Sequence, residues 1–215
     1  MKAQFLRRIA ALALLGGMAC AAQAHTGHSA GSLMQGLTHP FGFDHLLAMV
    51  AVGVWSVSVL PAHKVWQGPA LFMLVLAVSA ALGMMGLTLP YLEHMVSLSV
   101  ILFGAMLLLA RSAPVNKGRS GFVRRLSAMP ATVGLGLIAA AASLHGLAHG
   151  AETPASGFAG YAVGFLATTA LLHVSGVGVG LSIRRWLAQR SHLALGSLGA
   201  ALGIAGIWLF GQLAA

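Results

Sequence analysis

The chain has 215 residues, 58% of them hydrophobic and only 7% charged. A soluble domain carries about 25% charged residues, so this composition cannot build a water-facing surface. The formal net charge of +9 does not mark a nucleic-acid face, because the basic residues sit in short segments between apolar stretches, as in a multi-pass membrane protein.

Residues 1–24 have the build of a secretory signal. Lys2, Arg7 and Arg8 form the charged start, Ile9 to Ala19 the apolar core, and Ala22-Gln23-Ala24 a small-x-small cleavage site. The core is shorter than the roughly 17 residues a span needs. Cleavage after Ala24 removes Cys20, the only cysteine, and leaves a mature chain without thiolate ligands. His25 then becomes the first residue. Its amine and imidazole, with His28 close by, form an external metal-capture point. The segment up to Thr38 is too short and polar to span, and is expected as a lead-in resting on the interface through Leu33, Met34 and Leu37.

Residues 25–215 read as one all-α transmembrane domain, a polytopic helix bundle of six spans. The spans fall at about 40–60, 69–89, 91–110, 131–150, 157–183 and 193–213. The connections after the first, third and fifth spans hold Lys64; Arg111, Lys117, Arg119, Arg124 and Arg125; and Arg184, Arg185 and Arg190. These are all the Lys and Arg of the mature chain. They place those connections in the cytoplasm and both mature termini in the periplasm of a bacterial inner membrane. The connection 111–130 is expected to be a mobile loop whose charge suits phospholipid headgroups.

Many glycines lie inside spans, as at Gly160 and Gly164 or Gly199 and Gly203, where small residues let helix backbones approach. The run Gly176-Val-Gly-Val-Gly180 either packs in the same way or loosens the fifth span near a transport path. Each half of three spans opens on a histidine-bearing helix. An odd number of spans per half makes the halves inverted relative to each other.

Only three acids occur, Asp44, Glu93 and Glu152, and each stands in a cluster with histidine. Ionisable groups at membrane depth mark functional sites, and imidazole with carboxylate is a ligand set for a borderline divalent metal. His39, Asp44 and His45 open the first span. Pro40 suits a first helical turn and pushes His39 toward extended geometry. Asp44 and His45 stand about 100° apart on a helix, so one faces the centre and the other orients it; Asp44 is expected to point into the bundle. Glu93 and His94 open the third span. His145, His149 and Glu152 close the fourth, and their steps of four and three place them on one stripe. His173 lies deeper, in the middle of the fifth span. No Walker A, Rossmann, HExxH or Cys-x-x-Cys pattern occurs.

The stretches HPFGFDHLLAMVAVGVW from His39 to Trp55, HGLAHGAE from His145 to Glu152, and LLHVSG around His173 resemble the HupE/UreJ family of bacterial nickel permeases. HxxxxDH is also similar to the signature of the broader nickel/cobalt transporter family, whose members have more spans. The resemblance implies a permease rather than an enzyme. It implies import of nickel(II) or cobalt(II) as cargo, with no prosthetic group, to supply hydrogenase or urease maturation. By motif it assigns His39, Asp44, His45, His145, His149 and Glu152 to the metal path; Glu93, His94 and His25 rest on position.

Two other classes use the same residue types. An intramembrane metal-dependent hydrolase needs an open ligand position and a lipid-accessible cleft. A haem-binding electron carrier takes histidines from two helices and shows a Soret band.

Overall fold

A computed structural model describes residues 31–110, 130–154 and 156–213. The signal segment with Cys20, His25 and His28, and the basic connection 111–129, lie outside the described residues. The described residues are helical, with no strand among them. The helices are α1 Gly31–Thr38, α2 Phe43–Val59, α3 Gln67–Met84, α4 Leu92–Ala110, α5 Ala131–Ala151, α6 Phe158–Trp186 and α7 Ser191–Gln212. Five of the spans built from these are long and apolar enough to cross a bilayer. A sixth is reached when α1 and α2 count as one broken span.

That break falls at the end of the expected lead-in. Residues 31–38 form a helix that packs on α6, and α1 and α2 meet at 68°. Between them His39–Phe41 makes a single 3-10 turn, so His39 is not extended. Pro40 has no N–H to continue the ladder. Gly42 then turns extended (φ −46°, ψ 134°) and caps α2. Alone, α2 has 17 residues, about 25 Å at 1.5 Å per residue, short of the roughly 30 Å apolar core. Together α1 and α2 follow α6, whose 29 residues make it the longest helix among the described residues.

Glycine sets these approaches. A Cβ on Gly36 would strike the Tyr161 carbonyl, and one on Gly176 the Val50 carbonyl. The run Gly176–Gly180 is helical, and Gly176 and Gly180 pack on α2, as the packing reading of that run expects. Thr168 Oγ1 donates to the Leu37 carbonyl at 2.9 Å, satisfying one of the carbonyls left open where α1 ends.

Three helix pairs carry the bundle: α2 with α6, α3 with α5, and α4 with α7. The first two pairs run parallel and the third antiparallel, judged by which residues meet: Val50 with Gly176 and Val57 with Gly180; Ser79 with Gly146 and Gly83 with Gly150; Gly104 with Gly199 and Ile101 with Gly206. Exchanging the halves (α2 for α5, α3 for α6, α4 for α7) leaves this set of pairs unchanged, as an inverted repeat requires.

The core is apolar and closed around Met49, Trp55, Phe72, Leu76, Phe103, Met106, Leu107 and Ile138. Outward faces of α3 and α7 are equally apolar, with Leu74, Val78, Ile204, Ile207 and Trp208 exposed. A helix apolar on every side belongs in lipid. The molecule is a multi-pass membrane protein.

A candidate metal centre

His45 lies in the first turns of α2, and its ring turns inward on the face that carries Ala48, Met49 and Val52 into the core. His145 and His149 come from the last turns of α5, with Glu152 at its C-terminal cap. The break between α1 and α2 lowers His39 onto the same spot. One nitrogen each from His45, His145 and His149 lies within 4.8 Å of the others, and so do single ligand atoms from His39, His149 and Glu152. The two triads share His149.

The contacts are close. His149 Nε2 stands 2.9 Å from His45 Nδ1, and His149 Nδ1 stands 2.9 Å from His39 Nε2. Oε2 of Glu152 faces His39 Nε2 at 3.1 Å and His149 Nδ1 at 3.4 Å. Hydrogen bonds, first from His149 and then from His39, hold the Glu152 carboxyl well below the usual carboxylate range. Exposure falls along the cluster: the Glu152 side chain is 53% accessible and that of His149 11%, while His45 and His145 are sealed at 0%. The outer triad is open and anionic; the inner one is dry and built from imidazoles.

Hydroxyls fix the inner rings. Ser99 Oγ donates to the Val96 carbonyl at 2.6 Å, so its oxygen accepts from His145 Nε2–H at 3.0 Å. His145 Nδ1 is then left with a bare lone pair, and it has no partner among the described residues. Thr169 Oγ1 holds His45 Nε2 at 3.2 Å. Metal-ligating histidines are oriented in this way through their second nitrogen. Phe165 walls the site, with its ring centroid 5.4 Å from His45 and 5.3 Å from His149. Tyr161 stacks on Phe165.

The other sequence candidates stand apart. Asp44, half-buried, enters neither triad and has no hydrogen bond or ion pair among the described residues, so it is His45 that points into the bundle. The Asp44 carboxylate lies instead in the first turn of α2, where the helix dipole favours negative charge. Glu93 is exposed, and His94 packs its ring on Phe210 at 5.1 Å. Both line an open cleft of about 460 Å³ that Glu152 also borders. His173 is buried one turn below Thr169, outside both triads.

Sequence reasoning missed Ser99, Thr169, Phe165 and Phe72. One signal was present: Tyr161, Phe165, Thr169 and His173 recur every four residues on α6 and are all buried, a single stripe facing the site.

The HupE / UreJ protein family model matches residues 12–209. The chain belongs to the HupE/UreJ family. It is 39% identical over 160 residues to Protein HupE of Rhizobium leguminosarum bv. viciae, covering 74% of this chain and 75% of that protein. No solved structure matches significantly. Both motifs that supply the triads, at 39–45 and 145–152, fall within the family match.

Proposed function

We propose that this HupE/UreJ protein imports a divalent transition metal, nickel(II) or cobalt(II), across the bacterial inner membrane. The observation that carries this is the pair of triads joined at His149. A carboxylate with two imidazoles at the open end draws a cation from solution. Three imidazoles in a dry pocket then take it. Two nitrogens at right angles about an ion at about 2.1 Å lie about 3 Å apart, and His45 Nδ1 and His149 Nε2 are 2.9 Å apart. Neutral nitrogens with no thiolate hold an ion firmly enough to admit it and loosely enough to release it. The Irving–Williams order favours no choice of nickel over zinc by affinity, so geometry and supply contribute.

The basic residues of the connections favour a site facing the periplasm, with both mature termini on that side after cleavage at residue 24. Moving two charges through 100 mV gains about 4.6 kcal/mol, more than about a thousandfold in concentration, so an inside-negative potential sustains uptake without ATP. The exchange-invariant helix pairing fits alternating access between inverted halves. Membership of the family supports a role in supplying hydrogenase or urease with nickel. The three converging nitrogens of the inner triad, within 4.8 Å of one another, suit one non-haem ion, since a haem iron takes at most two axial histidines.

Isotopic nickel and cobalt uptake into cells, with zinc as competitor, tests the proposal. Saturable nickel or cobalt accumulation above vector control is expected. Zinc uptake alone would reassign the cargo, and no uptake of any metal would refute the proposal.

A further inference from the structure

We infer that His173 is a second, separate ion station on the inward side of the three-histidine site, and that the Phe72 ring is the partition between them. This rests on the import reading above. His173 Nδ1–H donates to the Thr169 carbonyl at 2.9 Å. The tautomer is therefore fixed, and Nε2 carries the lone pair. That nitrogen is buried, in a residue only 1% exposed, and has no hydrogen-bond partner among the described residues. A histidine kept for packing would turn such an atom to a neighbouring helix, because an unpartnered polar atom inside the bundle is costly. Here the ring is oriented as a ligand is, by the nitrogen that does not bind.

Phe72 joins the two places. Its ring centroid lies 5.9 Å from that of His145 and 5.2 Å from that of His173, and it is completely buried. It is the one residue of α3 whose ring meets these imidazoles. An apolar ring between two imidazoles is a hydrophobic constriction of the kind that gates ion paths, and its face attracts a passing cation. Thr169 ties the stations together: its hydroxyl holds His45 and its carbonyl holds His173. The His173 station offers one protein nitrogen where the three-histidine site offers three, so an ion leaves it readily. That makes His173 a release step and not a store.

The test separates binding from passage. Full-length His173→Ala is assayed for nickel uptake in cells and, purified in nanodiscs, for equilibrium nickel binding. The inference expects uptake to fall at least tenfold while tight binding stays within threefold of wild type. His173→Gln, which keeps the ring's approximate volume and a donor for Thr169, is expected to show the same split and guards against misfolding. Phe72→Trp, a bulkier partition, is expected to slow uptake with binding retained. Normal uptake by His173→Ala would overturn the inference, and so would loss of tight binding in both His173 variants, since His173 would then belong to the three-histidine site or to the fold. Wild-type protein that takes up no metal would defeat the import reading itself, and this inference with it.

Discussion

His149 Nε2 lies 2.9 Å from His45 Nδ1, although 104 residues separate them in the chain. The opposite nitrogen of the same ring meets His39 and Glu152. One side chain therefore belongs to both triads, and no other residue can substitute for it. His149→Ala is expected to reduce metal uptake about 100-fold, at the upper end of losses for groups that hold or orient a metal. Membrane levels should be unchanged, because the ring lies at the edge of the apolar core with its side chain partly open to solvent. Isotopic uptake normalised to immunoblotted protein checks this. Asp44→Asn, outside both triads, should cost far less than His149→Ala, and equal losses would show that the carboxylate reaches the ion.

Ser99 acts through His145 alone. Ser99→Ala removes the acceptor that selects the His145 tautomer, and nickel affinity should fall about 10-fold. Equilibrium dialysis of purified protein measures this. An unchanged affinity would mean that His145 is held by its packing.

Metal and proton compete for the same imidazole nitrogens, so uptake should decline as the medium becomes acid. Glu152 is not the cause of that decline. Its folded pKa is depressed, so it stays ionised down to pH values below the unfolded reference of about 4.3. Any stability it contributes is fully present above that value and is lost only as pH falls through the lower, folded pKa. Glu152→Gln should therefore lower uptake at every pH between 7.5 and 5. A loss confined to the acid end of that range would contradict this assignment.

Gly36→Val tests the broken span. Its side chain would collide with the Tyr161 backbone, and overpacking of this kind costs about 1–3 kcal/mol. Pushing α1 off α6 also displaces His39. Both a lower unfolding temperature in detergent and reduced uptake are expected. Unchanged stability would mean that α1 is not seated as described.

Much of this architecture was legible. Long apolar runs placed α2 to α7 within a few residues, because length and hydropathy alone decide a membrane helix. The stripe 145, 149 and 152 was legible from helical periodicity. The α1 helix was not: eight mixed residues carry no span signal, and their stability comes from glycine contacts on α6, distant in sequence. Nor was the choice between Asp44 and His45. Phasing a helix needs an apolar stripe against a polar one, and α2 is apolar all round, so only packing by Met49, Val52 and Trp55 settles which face turns inward. His94 neighbours Glu93 in sequence and lines the same cleft, while the pairing of α4 with α7 sets its ring against Phe210.

The central claim is that His45, His145 and His149 hold one divalent ion between them. X-ray absorption at the metal edge of nickel-loaded protein tests it most directly. Nitrogen or oxygen neighbours only, with the outer-shell scattering of about three imidazoles, are expected, and His145→Ala should lower the imidazole count. A sulfur neighbour, or a spectrum unchanged by His145→Ala and by His149→Ala, would contradict it.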